Sequence, residues 1–324
     1  MKVLLTGATG FVGSHLMRFL EKQSYTVSTL GRTLVAESAF HYNVSSINGK
    51  ESYIEALLEQ EVVVHCAARA HVMKDNSLDP KNEYRETNVL GTLNLARQAA
   101  QCGVRRFVFV SSIKVNGENT KNGNPFTCKS PLNPNDAYSE SKAEAEGKLL
   151  ELAAETGLEV VIIRPTLVYG PGAKANFASL MNLVSKGIPL PFGCIKDNRR
   201  SLVSITNLVN LIITCIEHPK ATNQVFLVSD DYDLSTYEII RQMSAALGKP
   251  NWQLSVPVWC YQFLGKIFGK SDLVNRLVGS LQVDISHTKE TLGWSPSQSI
   301  EDGFKETAQA FLQPTNCGKN DPFN

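Results

Sequence analysis

Short apolar runs alternate with helical patterns through the first half of the chain. Val3-Leu4-Leu5 reads as a buried strand, and Phe11, Val12, Leu16, Phe19 and Leu20 recur at helical spacing out to about Lys22. Residues 25–30 form a second strand pattern and Val62-Val63-Val64 a third. A helical pattern covers residues 84–102, a strand 106–110, a helix about 139–155 and a strand 159–163. Such alternation predicts right-handed strand–helix–strand units and a parallel α/β sheet. Beyond Arg164-Pro165 the rhythm breaks. Pro165, Pro171, Pro189 and Pro191 punctuate short segments, and a helical pattern resumes only over residues 205–216. The expected organisation is a dinucleotide-binding core over residues 1–165 and a smaller cap over 166–313, some segments of which return to the core. A polar tail, 314–324, is expected to be disordered.

Composition narrows the class without naming a chemistry. With 43% hydrophobic and 19% charged residues and a formal net charge of +1, nothing argues electrostatically for a nucleic-acid or membrane partner. No stretch approaches the roughly 18 apolar residues of a membrane span. The run after Lys2 stops at Thr6, too short for a signal sequence. Seven cysteines, never in C-x-x-C spacing, fit reduced thiols in a cytoplasmic protein, with no disulfide framework and no metal site.

The first candidate chemistry is Gly7-Ala8-Thr9-Gly10-Phe11-Val12-Gly13, placed between the first strand and the first helix. Gly7 permits the tight turn, Gly10 lets backbone approach a pyrophosphate, and Gly13 allows helix and strand to pack closely. The helix N-terminus then offers free N–H groups and partial positive charge to the phosphates. At the end of the second strand an NAD enzyme usually carries an acid for the ribose 2′-OH. Here the strand ends Leu30-Gly31-Arg32, and a guanidinium suits a 2′-phosphate. NADP is therefore expected ahead of NAD, the alternative being that Arg32 is a solvated loop residue.

Tyr138 and Lys142 stand at i and i+4, on one face of a helix. For a phenol of pKa near 10 to act as a base at neutral pH, roughly 3 units of depression are needed, about 4 kcal/mol. A lysine ammonium one turn away and a positive nicotinamide ring are the expected sources of that field. Ser111 and Ser112 emerge at the carboxyl end of the 106–110 strand, where ligands of open α/β folds collect. Ser112 is the preferred hydroxyl to bond the reacting oxygen; the bland alternative is a serine that satisfies backbone. His71 reads as an ordinary surface histidine and not as a base.

Together these motifs resemble the extended short-chain dehydrogenase/reductases of the nucleotide-sugar epimerase/dehydratase family. The match runs through TGATGFVGSH at the start, HCAA at 65–68, NVLGT at 88–92, VSSIKVNGE at 110–118, YSESK at 138–142, RPTLVYGPG at 164–172 and RRSLVSITNL at 199–208. The resemblance implies a Rossmann-like, doubly wound parallel sheet, a C-terminal substrate-binding cap and often a homodimer. It implies that Thr9, Phe11, Val12, Ala67, Ala68 and Pro165 join the glycines, Tyr138 and Lys142 around the cofactor, and that Asn88 braces the loops beside it. Asn43-Val44 falls where the family usually has an acid beside the adenine. For a nucleotide-sugar substrate, UDP-linked, it implies contacts from Ser111, Ser112 and Asn176, with Arg200 on the diphosphate and Arg276 as its partner.

The reaction is less determined. Family members that dehydrate the sugar place an Asp-Glu pair after the strand-end hydroxyl, and this chain has Ile113-Lys114 there, so elimination lacks its acid and base. A 4-epimerase retaining NAD and a 4-keto reductase consuming a reduced cofactor remain. Arg32 and the likeness of SSIKVNGE favour the reductase, acting on a UDP-4-keto-6-deoxy-N-acetylhexosamine for surface polysaccharide; a UDP-hexose 4-epimerase is the alternative. A cofactor-sensing protein without catalysis is disfavoured because Tyr138 and Lys142 are both kept.

Overall fold

The computed structural model describes residues 1–35, 38–70, 79–121, 123–173 and 175–313, apart from the side chains at 175, 176 and 272. His71, the 314–324 tail and the Asn176 side chain therefore lie outside the described residues.

The core opens with β1 (Lys2–Thr6), α1 (Phe11–Glu21), β2 (Thr26–Gly31), β3 (Phe40–Asn43), α2 (Ile54–Leu57) and β4 (Val62–His65). It continues through α3 (Pro80–Arg85), a π-helical turn (Glu86–Gly91), α4 (Thr92–Gln101), β5 (Arg106–Val110), α5 (Ala137–Thr156) and β6 (Glu159–Pro165). Then follow β7 (Leu167–Tyr169), α6 (Ala175–Ser185), β8 (Arg200–Ser204), α7 (Ile205–Glu217), β9 (Gln224–Val228) and β10 (Asp233–Leu234). The chain ends in helices α8 (Thr236–Ala246), α9 (Val258–Ile267), α10 (Ser271–Val278), α11 (Ser286–Leu292) and α12 (Ile300–Leu312).

Seven strands form one sheet in the order β3-β2-β1-β4-β5-β6-β9, and every pairing in it is parallel. This is the Rossmann-like α/β sheet. Its central strands are continuously apolar because both faces are covered. Val3, Leu5, Val62, Val64, Val108, Val110, Val161 and Ile163 pack on one side with Leu16 and Met17 of α1 and Leu208 and Ile212 of α7. The alternate residues Leu4, Val63, Phe107, Phe109, Val160 and Ile162 pack on the other with Leu95 and Ala96 of α4 and Ala145 and Leu149 of α5.

Three departures from the sequence pattern matter. The 84–102 helix is interrupted by the π turn, where Gly91 lies so close to Ile47 that an added Cβ would sit 2.7 Å from its backbone. The edge strand β3 is short and half-polar, which hid it. The segment after Pro165 divides: β7, β8 and β10 make a separate three-stranded sheet, while α7 packs on the main core and β9 adds the seventh strand beside β6. Tyr169, Phe177, Met181 and Phe304 centre the cap's own apolar cluster. Arg106, 1% exposed, ties β5 to α7 by donating from Nη1 to the carbonyls of Cys215, Ile216 and His218 at the C-terminal end of α7.

Candidate active site

The strand ends of the parallel sheet collect the residues that the sequence singles out. After β1, Gly7 turns with φ +71°, and a Cβ there would sit 2.6 Å from the Ala67 nitrogen. A Cβ on Gly13 would approach the Gly7 carbonyl oxygen to 2.1 Å. Only glycine fits either position, so α1 starts hard against the loop. No side chain caps α1 at Gly10 and its first turn holds no acid, which leaves the positive helix end to an anion. A cleft of about 220 Å³ opens beside the loop, lined by Ala8, Thr9, Met17, Arg18 and Leu34. Phe11 and Val12 are half-buried. The cradle fits a dinucleotide.

At the neighbouring strand ends Gly31 of β2 pairs with Asn43 of β3, and the Val44 N–H donates to the Gly31 carbonyl at 3.1 Å. Arg32, Asn43 and Val44 are thus brought to one edge; Arg32 and Asn43 are exposed and Val44 half-buried.

Beyond β4, Thr6 accepts from the Ala67 N–H at 3.2 Å, so this loop is tied back to β1. His65 is buried between Thr6 (2.7 Å) and Thr92 (3.0 Å), and burial pushes its imidazole down to about 3, with Lys142 adding to the effect. It is a neutral structural bridge and not a base. Asn88, in the π turn, accepts from the Arg69 N–H at 2.8 Å and donates to Ser141 of α5 at 2.9 Å. It joins the loop carrying Ala67 and Ala68 to the helix carrying Tyr138. Pro165 is buried where β6 ends.

Helix α5 begins with a capping box in which Asp136 accepts from the Ser139 N–H at 2.7 Å. Tyr138 follows, half-buried, and Lys142 stands one turn later, 1% exposed. The Lys142 ammonium donates to the Val110 carbonyl at 2.8 Å and lies 4.3 Å from the centre of the Phe109 ring. Burial pulls its pKa down to about 8, opposed by Cys66 and Glu146. Tyr138 moves the other way, pushed up to about 12 by burial first and then by Asp136 and Tyr84. The lysine alone therefore does not depress the phenol, and the field expected from lysine and nicotinamide together needs the cofactor's charge as well. Lys142 is held by a strand-end carbonyl, and desolvation outweighs its field.

Ser112 caps the short turn after β5, its hydroxyl accepting the Lys114 N–H at 3.3 Å. Lys114 reaches across to Asp136 (2.8 Å) and Glu118 (3.0 Å). Lys142 on Val110 and Lys114 on Asp136 thus clamp the first turn of α5 against the turn that presents Ser112. Ser111 points elsewhere. It is 3% exposed, and its hydroxyl donates to Glu146 at 2.5 Å, so the expected substrate contact is replaced by a bracing role. Glu146 in turn holds Arg164 through Nε (3.1 Å) and Nη2 (2.6 Å), and Arg164 donates to Asn116 at 3.1 Å.

On the cap side, Arg200 of β8 and Arg276 of α10 do come together: Arg200 Nη1 donates to the Arg276 carbonyl at 2.8 Å. Burial and the Arg276 charge hold the Arg200 guanidinium below its usual range. That contact is to main chain, but each charge is felt at the other, and such a pair of guanidinium groups suits a dianion. Arg276 also meets Glu118 at 3.2 Å, which links this pair to Lys114. Reasoning from the sequence missed Asp136, Glu118, Glu146 and Arg164. The D-x-x-S start of α5 was a readable capping signal for the first; the others carried none.

Comparison with known proteins agrees with this geometry. A family model described as the NAD dependent epimerase/dehydratase family matches residues 3–229. A Vibrio cholerae UDP-glucose 4-epimerase is 60% identical over 316 residues, covering 97% of this chain and 96% of that one. Among solved structures, a Thermotoga maritima UDP-glucose 4-epimerase with UDP-glucose superposes with a TM-score of 0.77 at 25% identity, over 96% of this chain and 98% of that one. A Bacillus cereus UDP-N-acetylglucosamine 4-epimerase shares the fold, with a TM-score of 0.78 at 19% identity over 96% and 99% of the two chains. Glycine cradle, Tyr–Lys helix and parallel sheet agree with these matches: the chain is an enzyme of the NAD dependent epimerase/dehydratase family, of the extended short-chain dehydrogenase/reductase type.

Proposed function

We propose that this protein is a UDP-hexose 4-epimerase that interconverts UDP-glucose and UDP-galactose. The observation that carries this reading is the 60% identity, over 97% of the chain, to the Vibrio cholerae UDP-glucose 4-epimerase. It displaces the reductase favoured by the SSIKVNGE string, a likeness of one segment against a likeness of the whole chain. The cofactor preference moves with it, from NADP to an NAD retained through the cycle. Arg32 is an exposed side chain at the end of β2, which suits a solvated loop residue.

In this reading NAD, when bound on the Gly7–Gly13 cradle, supplies a reversible hydride acceptor for C4 of the sugar. Tyr138 takes the proton of the C4 hydroxyl and later returns it. The protein alone holds the phenol pKa up, which suits the return of the proton; taking it in the first step would draw on the positive charge of the oxidised cofactor beside the phenol. Ser112 bonds the C4 oxygen, and Lys142 supplies positive charge beside it. Arg200 and Arg276 hold the diphosphate, so the nucleotide stays anchored while the keto sugar turns its other face. C4 is oxidised and then reduced, and no net redox equivalent is consumed.

Purified protein given UDP-galactose and no added cofactor is expected to form UDP-glucose until the two sugars reach equilibrium, as followed by chromatography. A requirement for stoichiometric NADPH, with a 4-keto sugar as the accepted substrate, would restore the reductase.

A further inference from the structure

The cap carries a surface that the chemistry at the strand ends does not use. On α9 the inward side chains Val258 and Tyr261 pack against the cap cluster, and Gly265 is buried so tightly on α10 that a Cβ would lie 2.8 Å from Val274. The opposite face is apolar and open. Trp259, Phe263 and Ile267 follow one another at four-residue intervals, 66%, 59% and 60% exposed, with Leu264 beside them at 50% and Phe268 at the helix end at 69%. At ordinary side-chain areas these five expose roughly 600 Å², the upper end of what a soluble monomer shows in one patch.

The charge around the stripe is one-sided. Across α9 and α10 the sequence has Lys266, Lys270 and Arg276 against a single acid, Asp272, and Arg276 is paired with Glu118. Lys266 and Lys270 are exposed next to the apolar face. Trp, Phe and Ile on one side of a short helix with lysines at its margin is the composition of a helix lying in a lipid interface. The helix bonds its own backbone internally, so the stripe can leave water without stranding polar groups. No helix among the described residues is long and apolar enough to cross a membrane, so contact would be peripheral.

We infer that the outward face of α9 docks this enzyme on an anionic lipid surface, with the lysines on the headgroups and Trp259, Phe263 and Ile267 at the acyl boundary. The inference does not depend on which sugar is turned over.

Flotation of the full-length protein with vesicles tests it. Wild type is expected to float with vesicles of phosphatidylcholine mixed with phosphatidylglycerol, less so with phosphatidylcholine alone, and less at high salt. Trp259→Ser with Phe263→Ser should cut the floating fraction at least about tenfold, with sugar-nucleotide turnover and melting temperature unchanged. Lys266→Glu with Lys270→Glu, which leaves the apolar face intact, should abolish the preference for phosphatidylglycerol. Wild type that does not float, or serine and glutamate variants that float as well as wild type, would overturn the proposal. So would self-association in solution that the serine variant abolishes while no form floats; that result would assign the face to a second copy of the chain.

Discussion

Tyr138→Phe is expected to lower kcat by about 10²–10⁴ while leaving bound cofactor and fold intact, since that is the usual worth of a positioned proton-transfer group. The phenol is half-buried on the first turn of α5, which the Asp136 cap and the Lys114–Asp136 pair hold in place without the Tyr138 hydroxyl. That turn is held by groups other than residue 138, so the substitution is expected to test the proton transfer with the helix start in place. Cofactor content measured after denaturation, circular dichroism and kcat together check the claim. A variant that keeps more than about a tenth of wild-type kcat would put the acid–base role elsewhere.

Glu146→Ala is expected to cost about 3–5 kcal/mol of stability, the usual result of stripping one partner from a buried ion pair. Its side chain is 3% exposed and the Arg164 side chain 6%, with paired contacts at 2.6 and 3.1 Å. Alanine would leave the guanidinium inside the protein, its carboxylate gone and its contact to Asn116 kept. The second variant, Glu146→Ala with Arg164→Met, should recover much of the loss, because the cost lies in the orphaned charge more than in the missing attraction. By contrast Lys2→Ala, which breaks an equally short 2.6 Å contact to Glu59 at the exposed edge, is expected to change nothing measurable. Denaturant unfolding of all four proteins separates these outcomes; a Glu146→Ala cost as small as that of Lys2→Ala would contradict the network. Ser111, Glu146 and Arg164 join β5, α5 and β6 beside the turn that presents Ser112, so in the proposed mechanism loss of the pair should also blunt turnover at temperatures where the fold survives.

What the residues revealed and what they hid follow from how local each signal is. Runs such as Val62-Val63-Val64 and Arg106–Val110 were legible because a strand covered on both faces is apolar at every position. The spacing of Gly7, Gly10 and Gly13 and the four-residue step from Tyr138 to Lys142 were legible because the chemistry constrains neighbours in sequence. Strand β3 was not, since Phe40–Asn43 is an edge strand with two of its four residues exposed. Glu146 was hidden among Glu144, Glu151 and Glu155 on the same helix. Its burial depends on Arg164 arriving from the next strand, a fact of tertiary structure. The phenol's surroundings were hidden for a related reason: spacing gives the lysine's distance, whereas burial and Asp136 set the sign in the protein alone. The α9 stripe carried a readable apolar pattern, but only the packing of Val258 and Tyr261 shows which side of it faces outward.

The central claim is that a hydride leaves C4 of the sugar and comes back to it without leaving the protein. UDP-glucose deuterated at C4, incubated with the enzyme and unlabelled free NAD, tests this directly by mass spectrometry and NMR of the product. The account predicts UDP-galactose that retains deuterium at C4, with none appearing in the free cofactor. Label passing into the free cofactor pool, or no UDP-galactose formed by protein that turns over a 4-keto sugar with NADPH, would contradict it.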